Sequence, residues 1–163
     1  MYEEPDVSVV MSVFTSAGTL APTLESILTQ QGVGLEFILV DDGASDGSGA
    51  ILDDYARRDS RVRIIHQANT GLTRALIRGC AEALGRYIAR QDAGDQSLPG
   101  RLAQQCALLD ENPDVVMTSC GTQFLGPEGE WLDNTVQGSN ELALGLQQQQ
   151  SNRLRGPSHH GSV

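Results

Sequence analysis

Apolar residues along this chain fall into two alternating patterns. Short, nearly unbroken apolar runs rich in β-branched residues are typical of strands buried on both faces. Between them lie longer segments whose apolar residues recur at the spacing of an amphipathic helix. The predicted strands are Val7–Phe14, Leu35–Val40, Val62–His66, Arg86–Arg90 and Val115–Cys120, and the predicted helices are Thr19–Gln30, Ser48–Arg57, Gly71–Leu84 and Leu98–Leu109. This alternation predicts an α/β fold with a mostly parallel sheet and helices on both faces.

The pattern weakens beyond Gly121. Turn-forming residues in the middle of Phe124–Trp131 predict a hairpin, and we expect Trp131 to pack in the core. Asn140–Gln150 predicts a further helix that ends in four glutamines. A chain of 163 residues suits a single domain, which we place at residues 1–163.

Composition and charge restrict the partners. The formal net charge is −10, and such a surface repels nucleic acid and acidic membranes. No apolar run approaches the ~18–20 residues of a membrane span, and the acidic N-terminus is unlike a signal peptide. We therefore expect a cytoplasmic protein, and the inner face of a membrane stays open as its location. Cys80, Cys106 and Cys120 lack metal-type spacing and are expected to be reduced.

Polar and aromatic residues collect where the predicted strands end. In open parallel sheets, ligands bind at the carboxyl ends of strands, at the point where the strand order reverses. The first strand ends in Ser12 and Phe14, the second in Asp41 and Asp42, and the fourth is followed by Asp92 and Asp95. The sequence therefore predicts one ligand site to which three strand ends contribute.

Each acidic pair has two interpretations. Asp41 and Asp42 fit a turn that caps a helix equally well as a carboxylate that accepts the imide N–H of a uracil-type base. Asp92 and Asp95 fit a loop with a helix cap, or they hold a hard divalent cation that neutralises a diphosphate leaving group. Both pairs are predicted to lie at the same edge of the sheet.

Other candidates are weaker. The glycines of residues 43–49 have neither the dinucleotide-binding GxGxxG spacing nor the lysine of a P-loop, so both of those sites are rejected. Arg74 and Arg78 fit a solvated helix face, although Arg74 is also placed to meet phosphates at the start of its helix. His159 and His160 are adjacent in sequence, which favours a loop feature over a metal site.

A set of motifs resembles the family-2 glycosyltransferases, which have the GT-A fold. The motifs cover about residues 6–120 in the family's order. They comprise the first strand with Ser26–Gln30, then Phe37–Gly47, Asn69–Leu72, Gly85–Asp95, Leu98–Leu102 and Asn112–Asp114. Each motif alone is weak, but the set is specific. The resemblance implies that residues 121–163 begin the acceptor-binding part.

The resemblance implies an inverting transfer of a sugar from a nucleoside diphosphate to an acceptor hydroxyl, in the synthesis of a polysaccharide or a similar glycan. It favours a UDP-sugar as donor and implies a divalent metal, Mn²⁺ or Mg²⁺, as cofactor. The implied nucleotide-sugar-binding residues are Ser12, Phe14, Asp41, Asp42, Asn69, Arg74 and Asp92, and the implied metal ligands are Asp92 and Asp95. Phe14 resembles the position that stacks on the base, and Asp42 the carboxylate that reads it.

Two departures from the family pattern leave a second function open. Gly94 stands where the family's DxD motif carries a metal-binding carboxylate, so a metal-free site is one alternative. The catalytic base of the family usually follows in a later acidic pair, and we expect it beyond Val163. A non-catalytic nucleotide-sugar-binding or interaction module is therefore the alternative function, and an uncovered sheet face would favour a homodimer.

Overall fold

A computed structural model describes residues 4–135 of the chain. Its centre is a four-stranded parallel sheet in the order β3-β2-β1-β4. The strands are β1 (Val7–Val13), β2 (Leu35–Asp41), β3 (Val62–His66) and β4 (Tyr87–Arg90). Each follows its predicted bounds to within one residue at either end. β1 and β2 are buried along almost their whole length, as their unbroken apolar sequence predicts.

Helices cover both faces of the sheet, as predicted. They are α1 (Leu20–Leu28), α2 (Ser48–Arg58), α3 (Leu72–Ala81) and α4 (Arg101–Glu111). The main core lies on the face covered by α1, α2 and α4, where Phe37, Met11 and Leu39 meet helix residues such as Leu24 and Leu52. α4 begins later than predicted because residues 98–100 form a turn that ends in Gly100 at a φ of 81°.

The opposite face is covered by α3, which packs very close to the sheet. A Cβ atom added at Gly79 would lie 2.5 Å from Val10 and 3.1 Å from Val40, so the helix can approach the strands only with a glycine at that position. Ala75, one turn earlier, is also fully buried. This close packing brings the first turn of α3 against the carboxyl ends of β1 and β2.

The predicted fifth strand, Val115–Cys120, is wrong. In the part of the chain that the structure describes, this segment is irregular and Val116 is 96% exposed. Its β-branched residues favour a strand, but no strand among residues 4–135 lies beside it or beside the outer edge of β4. Strand propensity expresses packing against neighbouring strands, and without them it does not form a strand.

The predicted hairpin is present. β5 (Thr122–Leu125) and β6 (Trp131–Thr135) pair antiparallel in a sheet of their own. Trp131 is 61% exposed within the described range, so its predicted place in the core is wrong. The predicted helix Asn140–Gln150 and the pair His159–His160 lie outside the described residues. Among the described helices, none is long and apolar enough to cross a membrane.

Candidate functional site

The chain enters the sheet near its middle. From β1 it continues outward to β2 and β3, and it then returns to β4 on the other side of β1. The strand order therefore reverses between β1 and β4, where ligands of open parallel sheets bind outside the carboxyl ends. We call the segments at these strand ends, residues 12–18, 41–48, 66–71 and 91–95, the carboxyl rim. Ser12, Phe14, Asp41, Asp42, Asn69, Asp92 and Asp95 all lie on this rim, and Arg74 lies on α3 next to it.

Asp42 organises the loop between β3 and α3. Its side chain is buried, and its Oδ1 accepts hydrogen bonds from the Gln67 amide at 2.7 Å and from the Thr70 N–H at 2.8 Å and hydroxyl at 3.1 Å. Its Oδ2 accepts from the Gly71 N–H at 2.9 Å. Burial raises the pKa of Asp42, but these hydrogen bonds outweigh it and the pKa lies below its ordinary value. The carboxylate is therefore held ionised, and only Oδ2 keeps capacity for a further donor.

Asp41 faces the other side of the sheet, because successive side chains of a strand alternate. Its Oδ2 lies 2.9 Å from His66 Nδ1, and its Oδ1 accepts a hydrogen bond from the Ala44 N–H at 2.8 Å. Sequence reasoning left open which acid of the pair is structural. The structure gives both of them partners within the chain, on opposite faces of the sheet.

The end of β1 supplies a hydroxyl and a ring. Ser12 is half-buried in the last part of the strand, and Phe14, just after it, has 48% of its surface exposed. The N–H of Asp42 donates to the carbonyl of Val13 at 2.8 Å, which holds the ends of β1 and β2 side by side. An aromatic ring that is half-exposed beside a polar strand end is available for stacking on a planar ligand.

Asn69 and Arg74 lie at the start of α3. Asn69 is exposed, and a Cβ atom added at Gly43 would lie 2.9 Å from its backbone nitrogen, so the loops after β2 and β3 touch only because residue 43 is a glycine at a φ of 78°. Arg74 is exposed on the first turns of the helix. Among residues 4–135, its guanidinium has no hydrogen bond or ion pair, so its charge is available to a ligand.

Asp92 is paired with Arg90, which sequence reasoning missed. Arg90 Nε donates to Asp92 Oδ1 at 3.1 Å and its NH2 nitrogen donates to Oδ2 at 3.2 Å. Such a bidentate contact is a favoured arrangement of a guanidinium and a carboxylate. The sequence does contain a signal for this pair. Arg90 and Asp92 are two residues apart at the end of a strand, and this spacing places both side chains on one face of the sheet.

Residues 92–95 differ from the metal-binding motif that the resemblance implied. Arg90 occupies the carboxylate of Asp92, and Gly94 contributes no side chain. Gly94 also has a φ of 104°, a conformation that favours glycine, and its N–H donates to the Thr23 hydroxyl at 3.1 Å. Within the described range, no three histidine, cysteine, aspartate or glutamate side chains are grouped to hold a metal. Metal binding by Asp92 and Asp95 therefore stays a prediction.

Asp46 joins the loop after β2 to the loop after β1. Its Oδ2 accepts a hydrogen bond from the Ala17 N–H at 3.0 Å, and its Oδ1 accepts from the Ser48 hydroxyl at 2.7 Å and the Ser48 N–H at 3.0 Å. Led by the Ala17 contact, these bonds hold the pKa of Asp46 at about 2. The Ser48 hydroxyl also accepts from the Ser16 N–H at 3.2 Å. Two loops of the carboxyl rim are thus fixed against each other, which lowers the ordering cost of binding a ligand.

Three side chains that shape the rim were not among the predicted residues: His66, Gln67 and Arg90. His66 was detectable in principle, because it is the last residue of a correctly predicted strand and is in register with Asp41. Gln67 follows it and therefore reaches the opposite face, where it donates to Asp42. The register of β2 against β3, which the sequence does not give, creates both contacts.

Comparison with known proteins identifies relatives of one kind. The profile of the family described as Glycosyl transferase family 2 matches residues 8–162. The chain is 40% identical to the putative glycosyltransferase EpsE of Bacillus subtilis over 123 residues, which is 74% of this chain and 44% of that protein. It is 37% identical to the uncharacterized glycosyltransferase EpsJ of the same organism, over 72% of this chain and 34% of that protein. The chain thus spans less than half the length of these relatives.

Solved structures show the same fold at low sequence identity. The mannosyltransferase PcManGT of Pyrobaculum calidifontis, in complex with GDP-Man and Mn²⁺, superposes with a TM-score of 0.65 at 22% identity, over 77% of this chain and 37% of that one. Residues 1–349 of S. aureus TarS, in complex with UDP-GlcNAc, superpose with a TM-score of 0.62 at 20% identity, over 66% and 32% of the two chains. At these identities the likeness concerns the fold alone.

Proposed function

Because this chain belongs to glycosyl transferase family 2, we propose that it forms the donor-binding part of a glycosyltransferase and binds a nucleoside-diphosphate sugar on the carboxyl rim. The observation that carries the proposal is the hydrogen-bond network of Asp42, which joins the end of β2 to the loop before α3 beside the reversal in strand order. A UDP-sugar is the favoured donor.

The base binds at the ends of β1 and β2 in this proposal. The half-exposed ring of Phe14 stacks on the base, and the Ser12 hydroxyl contributes a hydrogen bond. Oδ2 of Asp42 accepts the imide N–H of uracil with its remaining capacity. A carboxylate held ionised by four hydrogen bonds is suited to this role, because it cannot act as a donor and therefore selects a base edge that carries an N–H.

The diphosphate requires positive charge on a rim that is rich in acids. Arg74 supplies it from the first turns of α3, where its guanidinium forms no hydrogen bond or ion pair with the described residues. Arg90 uses two of its nitrogens on Asp92 and keeps further N–H groups for a phosphate oxygen. The proposed donor binding therefore uses the guanidinium groups of this chain to balance the charge of the diphosphate.

The complete reaction is proposed for the whole protein. The acceptor hydroxyl forms a bond to the anomeric carbon, the bond from that carbon to the diphosphate breaks, and a base takes the hydroxyl proton. This displacement inverts the anomeric centre and suits polysaccharide or glycan synthesis. The proposal assigns the catalytic base to none of the residues that the structure describes.

A nucleotide-sugar-binding module without transfer is the second candidate function. The pairing of Arg90 with Asp92 and the glycine at residue 94 favour it, because both differ from a metal-assisted leaving-group site. Hydrolysis of UDP-sugars by the whole protein, in the absence of an acceptor, separates the two functions, because the complete reaction is proposed only for the whole protein. Release of free sugar supports a transferase site, whereas tight binding without any release supports the module.

The donor site is tested by calorimetric titration of UDP and GDP into the chain. We expect UDP to bind and the Asp42→Asn variant to bind it about tenfold more weakly, since the variant loses charge-assisted hydrogen bonds of the rim. The matched control is Glu36→Gln, which changes a buried carboxylate at the other end of the sheet and should leave UDP affinity unchanged. Circular dichroism establishes that both variants are folded, and equal affinities of Asp42→Asn and the wild type would remove Asp42 from the site.

A further inference from the structure

His66 connects two elements through both of its ring nitrogens. Nδ1 lies 2.9 Å from Oδ2 of Asp41 at the end of β2, and Nε2 lies 3.0 Å from Oδ1 of Asp53 on α2. His66 itself ends β3, so one imidazole joins three elements of the fold. The side chain is 52% exposed, whereas that of Asp41 is 11% exposed. The contact with Asp41 is therefore the more sheltered of the two.

These two distances favour the protonated form of the ring. A neutral imidazole has one N–H donor and one acceptor nitrogen, so it can donate to only one carboxylate. An imidazolium donates from both nitrogens and satisfies Asp41 and Asp53 together. Hydrogen bonding to Asp41, followed by that to Asp53, raises the pKa of His66 above the ordinary 6.5, against the opposing effect of burial. The two short distances and the raised pKa of His66 both favour the imidazolium.

The other charged side chains near His66 affect its ring less than the two carboxylates do. The charged residues that line the cavities beside His66 are Arg63 of β3, Arg78 of α3, Glu82 directly after α3, and Arg57 of α2. Arg63 is paired with Glu36 and Glu82, and Arg57 with Asp54. Arg78 donates to Gln67 at 3.4 Å. None of these groups forms a hydrogen bond with His66, so the ring responds mainly to the carboxylates of β2 and α2.

Asp41 transmits the state of His66 to the carboxyl rim. Its second oxygen accepts the N–H of Ala44, in the loop that also carries Asp46. A Cβ atom added at Gly49 would lie 2.8 Å from Oδ2 of Asp41, so α2 packs directly against this carboxylate. Asp41 is also bonded through the backbone to Asp42, the central residue of the proposed donor site. Movement of Asp41 therefore changes the loop after β2.

We propose that His66 is a positioning residue of the donor site: as an imidazolium it ties Asp41 to α2, and its deprotonation loosens the loop after β2 and weakens donor binding. We call the link from Asp41 through His66 to Asp53 of α2 the tie. The effect of the tie on donor affinity rests on the proposed function, whereas the tie itself does not. Because the pKa of His66 is raised in the fold, the tie is complete below the ordinary 6.5 and is lost as the pH rises through the raised value.

The tie is tested by nuclear magnetic resonance on the full chain. The three histidines are separated by comparison with the His66→Gln variant, which removes one imidazole signal. We expect the His66 ring to titrate above 6.5 and the Ala44 amide to follow the same midpoint. Asp53→Asn, the matched control, removes one carboxylate and should lower that midpoint. A His66 midpoint at or below 6.5, or an Ala44 amide that does not follow it, would overturn the tie.

The link to donor binding is tested by UDP affinity between about pH 7 and 9, where phosphate groups with a pKa near 6 are already ionised. Wild-type affinity should fall about threefold to tenfold across the His66 midpoint, and that of His66→Gln should stay flat, in the range expected for loss of one charge-assisted contact. An equal fall in both proteins would overturn the positioning role. If UDP fails to bind at every pH while the Ala44 amide still follows His66, the proposed function fails and the tie stands.

Discussion

The two ends of the parallel sheet carry buried carboxylates that are used differently. At the amino end, Glu36 accepts hydrogen bonds from the Ser8 hydroxyl at 2.6 Å, the Leu84 N–H at 2.7 Å and Arg63 at 2.9 Å. At the carboxyl end, Asp42 accepts from an amide side chain, a hydroxyl and two backbone N–H groups. In both cases burial raises the pKa, and the hydrogen bonds reverse the shift to below the ordinary value.

The difference lies in the neutralising charge. Glu36 has a guanidinium partner in Arg63, so that end of the sheet is electrically balanced and closed by the chain itself. Asp42 has no cationic partner among the described residues. The exposed Phe14 lies on the same carboxyl rim, and the exposed Arg74 lies next to that rim on α3. A buried carboxylate that accepts several hydrogen bonds therefore closes the fold at one end. At the other end it arranges loops around an open surface.

The largest expected effect comes from removing the amino-end carboxylate. Glu36→Ala leaves the Ser8 hydroxyl, the Leu84 N–H and Arg63 without their acceptor, and we expect a loss of about 2–3 kcal/mol in the free energy of unfolding. Urea denaturation measures it. UDP affinity of the folded fraction should not change. A stable variant with weakened UDP binding would contradict the division between the two ends.

A carboxylate added at the carboxyl end tests the metal question. Gly94→Asp supplies the side chain that the family motif carries, at a strain cost of about 1 kcal/mol for the positive φ of this residue. We expect manganese to strengthen UDP binding of the variant about fivefold and to leave the wild type unchanged, because a second oxygen ligand competes with the Arg90 contact. Gly94→Ala, which adds strain without a carboxylate, is the control.

If manganese strengthened wild-type binding to the same degree, residues 92–95 would hold a metal without a carboxylate at 94. The contrast between the amino end and a carboxyl rim that binds the donor without a metal would then be wrong for the β4 loop.

The smallest effect is expected at Asp46, which is exposed. Its hydrogen bonds lower its pKa from 3.8 to about 2, so its contribution to stability is complete above 3.8 and is lost as the pH falls through about 2. Asp46→Asn should lower the unfolding temperature slightly at neutral pH, by less than Glu36→Ala. The difference from the wild type should vanish in strong acid. A difference that persists below that range would show that the Ala17 contact does not depend on the charge.

Local patterns in the sequence predicted much of the fold. Four strands and four helices lie where apolar spacing placed them, because strand and helix periodicities depend on residues only a few positions apart. The resemblance to family 2 is confirmed by the family match over residues 8–162, and the GT-A-type arrangement by the structural neighbours. The prediction of a parallel sheet was enough to place four of the candidate residues on one rim, because the carboxyl ends of parallel strands lie at the same edge. These residues are Ser12, Phe14, Asp42 and Asp92.

Contacts between residues that are far apart in the sequence determined the remaining features of the fold and the site. Val115–Cys120 has the composition of a strand but no neighbouring strand in the described structure, so its composition did not determine its conformation. The partners of Asp42, and His66 as a partner of Asp41, lie 25 to 29 residues further along the chain. Sequence placed acids at the strand ends. The register between strands determines on which face of the sheet each acid lies and which donors form hydrogen bonds with it. The sequence does not contain this information, because hydrogen bonds depend on distances between residues that are far apart along the chain.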